Sequence, residues 1–370
     1  MLALALAAAA AGRADAEVGW GINDALAHAV VITDNHVHAS GEGVATSVQL
    51  QTLLDANPNT AFYLRRTRIE IVADGNRTGL TLAGNRSLVM DAASEIFCTT
   101  ALPPPGNIPP SDAKYGPHLI LLTGTNVGIR GGRLTQHTAP GSSQKPDNSV
   151  GIRLLDASDA KVSQVTLSGS WGQAIRVMGN DGATAPPFGS CPSYYTAGCQ
   201  APQLPFQQGL NFSSQLALSE LMTMGLVRPP VVLLNNTIVA SARAERAIWL
   251  TWSVGVIVAG NVIRGPYHYG IDLDAMASQC VITGNDVRGS LYAALFIEMQ
   301  CLHNLVTGNT LVANGSYALN LNSFLNFVVL NDLGGGEAKS GGLKISGTSP
   351  YPVALSVRTA LSYSSSFRIP

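Results

Sequence analysis

The chain has 370 residues, of which 46% are hydrophobic and only 12% are charged, and its formal net charge is −1. A chain this apolar and this weakly charged can bury a large core, which excludes disorder for most of its length. The 22 Lys and Arg residues are balanced by 23 Asp and Glu residues. This balance leaves no basic excess for phosphate contacts, so we expect no nucleic-acid partner.

The N-terminus has the pattern of a secretory signal peptide. An apolar run from Leu2 to Ala11 precedes the small-residue sequence Ala14-Asp15-Ala16, which fits a cleavage site. The run is too short to span a bilayer, and no other segment holds about 18 consecutive apolar residues. We therefore expect residues 1–16 to be removed on export, a secreted or extracellular protein, and no membrane span. Sequons that fit this route begin at Asn76, Asn85, Asn211, Asn235 and Asn314.

The first regular element is predicted at residues 46–55. The apolar residues of this segment fall on one helical stripe, and Asn57-Pro58 ends it. Two strand-like segments follow, at residues 60–65 and 68–72. The sequence therefore predicts one helix before a region of short strands.

A repeat of about 24 residues dominates the second half of the chain. Asparagines recur at spacings of 25, 24, 24 and 22, at Asn236, Asn261, Asn285, Asn309 and Asn331. A second motif runs in phase, and its first apolar residues are Ile248, Ile271, Leu295, Leu319 and Leu343. Weaker copies of the second motif begin at Gly151 and Ala174. The short alternating apolar runs, broken by Gly, Asn, Asp and Ser, indicate strands joined by turns.

A unit of about 24 residues suits three short strands and three turns, which is one coil of a parallel β-helix with coils stacked about 4.8 Å apart. Asparagine tolerates left-handed backbone and bonds turn groups, so we expect the repeated asparagines to form a structural ladder. Pro- and Gly-bearing segments at 101–116, 135–148 and 180–230 interrupt the repeat, and we expect them to leave the coils as loops.

Over roughly residues 45–347 the chain resembles the right-handed parallel β-helix superfamily, the pectate-lyase-like fold. The resemblance implies an all-β solenoid whose open end is capped by an N-terminal helix, a role that fits residues 46–55. The expected division is a signal peptide (1–16), an N-terminal segment with the cap helix (17–68), the β-helix (69–347) and a C-terminal cap or tail (348–370). The resemblance also implies a polysaccharide-active enzyme, namely a lyase, a glycoside hydrolase or a uronate epimerase.

The cysteines allow two disulfides. Cys191 and Cys199 close a short loop, and Cys280 and Cys301 fall in neighbouring coils, so each pair could be bonded. One cysteine is then left over. No C-x-x-C motif occurs, which argues against a structural zinc site.

One row of strands carries the candidate site. Period-two alternation places the repeated Ile and Leu residues inward and the residues between them outward, in stacked columns. The first outward column contains Arg153, Arg176, Trp249, Asp272, Phe296, Asn320 and Lys344. The second contains Leu155, Met178, Thr251, Asp274, Glu298, Asn322 and Ser346.

Three carboxyl groups converge in these columns: Asp272, Asp274 and Glu298. Asp274 and Glu298 lie in adjacent coils, so their Cβ atoms are expected about 5 Å apart. Like charges this close are unfavourable unless one carboxyl keeps a proton at a raised pKa or a cation lies between them. The cluster is therefore predicted either as catalytic acid and base or as a calcium site.

Groups that suit sugars surround the cluster. Trp249 and Phe296 flank Asp272 and are predicted to stack on sugar rings, and Asn320 and Asn322 are further candidate binding residues. The segment 267–269 is predicted to form the turn before the Asp272 strand. It contributes candidate binding residues Tyr267 and Tyr269 and a candidate catalytic residue, His268. Arg176 is a candidate catalytic cation, although it lies several coils away in the simple stack.

These residues allow more than one function. Hydrolysis of a glycosidic bond needs two carboxyl groups, one of them protonated. β-Elimination of a uronate needs neutralisation of the substrate carboxylate, a base and an acid. The sequence favours a lyase or a hydrolase acting on an acidic polysaccharide, with no cofactor or with calcium, in a protein expected to be monomeric. The alternative is a non-catalytic carbohydrate-binding, adhesion or cell-wall protein.

Overall fold

The computed structural model describes residues 30–32, 45–71, 79–98, 118–136, 150–169, 172–179, 230–241, 243–274, 277–298, 301–323, 326–334, 343–345 and 354–358. Within these ranges the structure has one helix, α1 (Ser47–Ala56), and 25 strands in a single sheet. The predicted signal peptide, the first disulfide pair and the 180–230 segment up to residue 229 lie outside the described residues.

The strands are β1 (Val30–Ile32), β2 (Ala45–Thr46), β3 (Ala61–Leu64), β4 (Arg68–Glu70), β5 (Leu80–Ala83), β6 (Ser87–Cys98), β7 (His118–Gln136), β8 (Val150–Ser163), β9 (Thr166–Gly169), β10 (Gln173–Met178), β11 (Val231–Leu234), β12 (Thr237–Ala240), β13 (Ala244–Thr251), β14 (Ile257–Ala259), β15 (Val262–Arg264), β16 (Tyr267–Asp274), β17 (Val281–Thr283), β18 (Asp286–Ser290), β19 (Ala293–Ile297), β20 (Leu305–Thr307), β21 (Thr310–Ala313), β22 (Tyr317–Leu321), β23 (Phe327–Leu333), β24 (Leu343–Ile345) and β25 (Ala354–Arg358).

All pairings between these strands are parallel, and they sort the strands into three rows. Row A, which carries the candidate site, runs β5, the start of β7, the start of β8, β10, β13, β16, β19, β22 and β24. Row B includes β11, β14, β17, β20 and the start of β23, and row C includes β9, β12, β15, β18 and β21. The chain visits each row once per coil. The predicted right-handed parallel β-helix is confirmed.

The core is a stack of aliphatic side chains inside the coils. In row A the inward column consists of Ile152, Ile175, Ile248, Ile271, Leu295, Leu319 and Leu343, in the predicted register. The first six are completely buried. Stacking identical positions in this way removes apolar surface from water at every coil, which stabilises the solenoid as a sum of neighbouring contacts.

The long 180–230 segment leaves no gap in row A. Strand β13 pairs directly with β10, and Arg176 lies opposite Trp249 in the register. Because Trp249 in turn lies opposite Asp272, Arg176 is two coil steps from Asp272. The expectation that Arg176 lies several coils away is therefore wrong, since the inserted segment occupies no position in this row.

Helix α1 covers the first described strand of row A. Thr46 caps the helix, and its backbone N–H donates to Gln49 Oε1 at 3.1 Å. The Gln51 amide pairs with the backbone of Thr81 in β5, because its Nε2 donates to the Thr81 carbonyl and its Oε1 accepts from the Thr81 N–H at 2.7 Å. Leu50 and Leu54 of the helix are buried. The helix thus supplies hydrogen bonds to a strand edge that would otherwise need them.

The predicted asparagine ladder is present and buried. Each asparagine side chain accepts from the backbone N–H and the side-chain amide of the asparagine one coil earlier. For example, both nitrogens of Asn261 donate to Asn285 Oδ1, at 3.0 and 2.9 Å. A second, shorter ladder links Asn304 to Asn326 in the same way. The sequence analysis missed this second ladder, although the two asparagines share the 22-residue spacing of the first.

The second proposed disulfide is not formed. The Cys280 and Cys301 thiols are buried and are not joined to each other. The Cys280 thiol donates a hydrogen bond to the Ser278 carbonyl, and the Cys301 thiol donates one to the Leu273 carbonyl. Each thiol therefore has its own backbone acceptor. Burial raises the pKa of the Cys280 thiol to about 12.

A search of the described part of the chain finds no helix with the length and hydropathy needed to cross a membrane.

The asparagine ladder gives a stability prediction. Asn285→Leu keeps a similar volume but leaves the Asn261 N–H groups and the Val258 carbonyl without their partner. We expect the free energy of unfolding to fall by roughly 2–5 kcal/mol, because buried polar groups without partners are costly. Urea denaturation measures this change. Asn314→Leu, at an exposed position, is the control and should change the free energy by less than about 0.5 kcal/mol. Equal effects of the two variants would contradict a structural ladder.

Candidate functional site

The outward columns of row A stack as the sequence predicts. The register places Arg153, Arg176, Trp249, Asp272, Phe296, Asn320 and Lys344 in successive strands. Thr251 lies opposite Asp274 in the second column. The Glu298 N–H donates to the Leu273 carbonyl at 2.9 Å, which places Glu298 one coil above Asp274. The three carboxyl groups therefore meet at one place on the surface of the row.

Asp272 forms a buried ion pair with Arg246. The Arg246 Nε lies 2.5 Å from Asp272 Oδ2, and Asp272 is completely shielded from solvent. A second carboxylate, Glu245, contacts the Nη1 of the same guanidinium. Burial lowers the pKa of Arg246, but the negative charges of Asp272 and Glu245 raise it by more. The net shift is upward, so the guanidinium stays charged.

The sequence analysis missed Arg246. It lies just before the Ala-Ile-Trp-Leu motif and opposite Tyr269 in the register. Arg246 and Tyr269 hold the same position in successive repeats, and this was the signal in the sequence that could have identified Arg246.

Glu298 keeps its proton beside Asp274. Burial is the largest cause that raises the pKa of Glu298, to about 9, and the negative charges of Asp272 and Asp274 add to it. The Glu298 carboxyl is hydrogen-bonded to Asp274. Asp274 also accepts from the Trp249 indole, whose Nε1 lies 3.3 Å from Asp274 Oδ2. Glu298 is therefore protonated at neutral pH and donates its proton toward Asp274.

The pKa of the buried Asp272 is higher than that of an ordinary aspartate. Burial is the main cause that raises its pKa, Arg246 opposes the increase, and Asp274 adds to it. The Oδ1 of Asp272 is buried and finds no hydrogen-bond donor in the part of the chain that the structure describes. The three carboxyls therefore experience different surroundings, which is the arrangement that separates an acid from a base.

Trp249 lies among positive charges. The guanidinium carbon of Arg176 is 3.9 Å from the centre of the Trp249 ring, and that of Arg246 is 4.2 Å away. Both distances are within the range of cation–π attraction. Arg176, which was expected several coils away, is thus brought together with Trp249 beside the carboxyl cluster.

Four aromatic rings lie beside the cluster and extend one coil past it, and we call Tyr269, Tyr292, Phe296 and Tyr317 the aromatic strip. The Tyr292 ring lies 5.5 Å from Tyr269 and 5.4 Å from Tyr317, edge to face with both. Tyr269 stacks on Phe296 at 5.3 Å. Each of the four is partly exposed. The sequence analysis missed Tyr292 and Tyr317, because Tyr292 lies in the turn before β19 and Tyr317 lies at the start of β22.

His268 stacks on the aromatic strip. Its ring is parallel to that of Tyr292 at 5.3 Å. Burial is the main cause that lowers the pKa of His268, and Arg243 lowers it further, so the imidazole is neutral at neutral pH.

Tyr267 is placed differently from the prediction. Its side chain is completely buried in the hydrophobic core, so it has no surface for a substrate. Residues 267–269 also belong to strand β16 and do not form a turn. Tyr267 points inward because the strand begins earlier than expected and Tyr267 falls on its inner face.

The two candidate asparagines lie along the strip. Asn320 is buried and its Nδ2 donates to the Tyr292 hydroxyl at 3.3 Å. Asn322 follows β22 and is partly exposed. Asn320 therefore positions Tyr292, while Asn322 remains a predicted binding residue.

Calcium at the carboxyl cluster stays a prediction. Arg246 occupies one oxygen of Asp272, and Glu298 is protonated when no cation lies beside it. Among the described residues, no three His, Cys, Asp or Glu side chains are grouped around a position for a metal ion. Arg246 supplies positive charge beside Asp272 and Glu245.

Comparisons with known proteins place the fold. Residues 223–340, just under a third of the chain, match the family described as periplasmic copper-binding protein (NosD). No curated protein matches the sequence. The chain is a parallel β-helix protein. The described residues provide no group of ligands for the copper of that family name.

Several solved structures are similar at low identity. The periplasmic alginate epimerase AlgG is 12% identical, with a TM-score of 0.40, and the match covers 80% of this chain and 58% of AlgG. A family 28 exopolygalacturonase of Yersinia enterocolitica is 9% identical (TM-score 0.38, coverage 83% and 70%). The Streptococcus pneumoniae surface adhesin PfbA is 10% identical (TM-score 0.38, coverage 82% and 85%). The chain thus spans less than two thirds of AlgG, and the likeness concerns the fold alone.

The protonated Glu298 predicts a pH dependence of stability. The pKa of Glu298 rises from 4.5 to about 9 on folding, so between these pH values the unfolded chain loses a proton that the folded chain keeps. Stability therefore falls as the pH rises through this window. Glu298→Gln removes this loss, so the variant should gain stability relative to wild type as the pH increases. Urea denaturation across the window measures the gap, and Glu70→Gln on β4 is the control. A gap that stays constant with pH would show that Glu298 ionises normally.

Proposed function

We propose that the protein cleaves glycosidic bonds of an acidic polysaccharide at the carboxyl cluster, with Glu298 as the proton donor. The observation that carries this proposal is the protonated Glu298 hydrogen-bonded to Asp274 in a row that also holds two arginines and Trp249. A carboxylic acid that keeps its proton near neutral pH can protonate a leaving oxygen. Cationic and aromatic neighbours suit an anionic sugar.

The roles follow from the surroundings of each group. Glu298 protonates the oxygen of the scissile bond as that bond breaks. Asp274, with its indole hydrogen bond, either accepts a proton from the water that attacks the sugar carbon or attacks that carbon itself, in which case water then hydrolyses the glycosyl-enzyme. Asp272 is completely buried and paired with Arg246, so it holds the guanidinium in place and adds to the negative potential beside Glu298. Arg176 and Arg246 supply positive potential for the substrate carboxylates. No step requires a metal ion.

β-Elimination is a second candidate, supported by His268. Its neutral imidazole is a base at neutral pH, and the same protonated Glu298 would serve the leaving oxygen. The two reactions have different products, because elimination leaves an unsaturated uronate and hydrolysis does not. The measurement of products therefore separates them.

Export is part of the proposal. A polysaccharide substrate and the pattern of residues 1–16 both favour action outside the cytoplasm. We also propose that the protein works as a monomer, because all of the groups named above come from one chain.

The proposal predicts the activity of two variants. Glu298→Gln and Asp274→Asn should each lower kcat by about 10²- to 10⁴-fold, because each removes a proton-transfer group without changing its size. Asp286→Asn is the matched control, since this carboxylate is paired with Arg264 and Arg288 on row C and should leave activity near wild type.

The assay is a panel of uronate and neutral polysaccharides, with and without a chelator. Reducing ends measure any cleavage, and ultraviolet absorbance measures the unsaturated product. Reducing ends without absorbance support hydrolysis, and both signals together support elimination. Wild-type rates in both variants on a substrate that the protein cleaves would refute the assignment of these carboxyls. No cleavage across the panel would favour a binding protein that uses the aromatic strip.

A further inference from the structure

The aromatic strip lies next to the carboxyl cluster but is not needed for proton transfer. Its rings lie in the coils of β16, β19 and β22, and the first two of these coils also carry the carboxyl groups. Lys344, in the next strand of the row, extends the strip by one more coil. The Lys344 Nζ lies 5.3 Å from the centre of the Tyr317 ring.

The strip is continuous because of a small residue. Tyr269 and Tyr317 lie two coils apart in the same outward column, with Ala293 between them. The Ala293 side chain is too short to separate the two tyrosines, and Tyr292 from the preceding turn fills the space. Its hydroxyl accepts from Asn320, which fixes the ring. The rings therefore form a platform and not a set of isolated aromatics.

The platform is an outer surface. Its four aromatic residues are only partly buried, whereas the inward residues of the same strands, such as Leu295 and Leu319, have no exposure. Aromatic rings that pack edge to face and stay open to solvent present apolar surface with polar hydroxyl tips. Such a surface matches a sugar chain, which has apolar C–H faces and polar edges.

Two physical properties specify the occupant. Successive coils are about 4.8 Å apart, which is comparable to the length of one pyranose unit in an extended polymer. The platform is also bounded by positive charge, with Arg246 within 5.3 Å of the Tyr269 ring and Lys344 at the same distance from Tyr317. A chain lying along the strip would have its sugars on rings and its anionic groups near cations.

We propose that the aromatic strip and Lys344 form an extended binding site for an oligouronate, with one sugar per coil from β16, beside the carboxyl cluster, to β24 on its C-terminal side. This inference rests on the proposed function for its substrate class. Beyond the two coils that carry the carboxyl groups, it adds two coils of recognition, those of β22 and β24, that proton transfer does not use. It follows that longer oligomers bind more tightly than short ones, and that the gain depends on Tyr317 and Lys344.

The test measures binding by calorimetry, using oligogalacturonates and oligomannuronates of three and six units on the full-length Glu298→Gln protein. Tyr317→Ala should weaken binding of the hexamer by about 3- to 10-fold. Lys344→Gln should weaken it by about threefold, and this effect should shrink with added salt. Tyr317→Phe keeps the ring and should bind nearly as well as the parent. Phe327→Ala removes a 38% exposed aromatic from row B and should leave binding unchanged.

The outcomes separate the inference from the proposed function. Hexamer binding that depends on Tyr317 and Lys344, in a wild-type protein that cleaves nothing, would support the strip and refute catalysis. Cleavage with an unchanged KM in both strip variants would support catalysis and refute the strip as a binding site. Equal binding of a neutral hexasaccharide, or no binding of either oligouronate, would overturn the inference. If Tyr317→Ala fails to fold, Lys344→Gln and the salt dependence still decide.

Discussion

Parallel stacking of coils in a fixed register is the constraint on which the rest of the molecule depends. Each strand forms backbone hydrogen bonds with the strands one coil away, and the buried asparagine ladder repeats the same registration through side chains. A slip of one residue would turn every inward side chain outward. With the register fixed, residues 24 positions apart become neighbours, and a column of side chains becomes a surface with a defined chemistry.

That constraint also creates the unusual electrostatics of row A. Stacking places the completely buried Asp272 between Trp249 and Phe296, and it places Glu298 over Asp274. Three carboxyls this close cannot all be ionised at an ordinary cost. The protein resolves the repulsion with one cation and one proton: Arg246 pairs with Asp272, and Glu298 stays protonated beside Asp274. The charge state of the site thus follows from its position in the solenoid.

Much of this could be predicted from the sequence, because a solenoid repeats local rules. The alternation around Ile248 and Ile271 gave the outward columns, and the spacing of the asparagines gave the first ladder. The failures occur where alternation breaks. Gly270 and Ile271 are both buried, so Tyr269 lies on the outer face together with Asp272, although the two are three residues apart. The Tyr269 ring therefore contacts Phe296 of the next coil. Arg246 departs from the alternation before Ile248 in the same way, so no pattern within its own strand predicts that it faces outward. The direct pairing of β10 with β13 could not be predicted either, because the sequence does not show whether the inserted 180–230 segment adds a coil to the row.

Glu298 keeps its proton at neutral pH because it is largely buried and because the negative charges of Asp272 and Asp274 lie beside it. Infrared difference spectroscopy of the wild-type protein against Glu298→Gln at neutral pH measures this protonation directly. We expect a protonated-carboxyl C=O stretch in the wild type that is missing from the variant and that disappears only as the pH approaches about 9. A spectrum in which Glu298→Gln removes only ionised-carboxylate bands would contradict it.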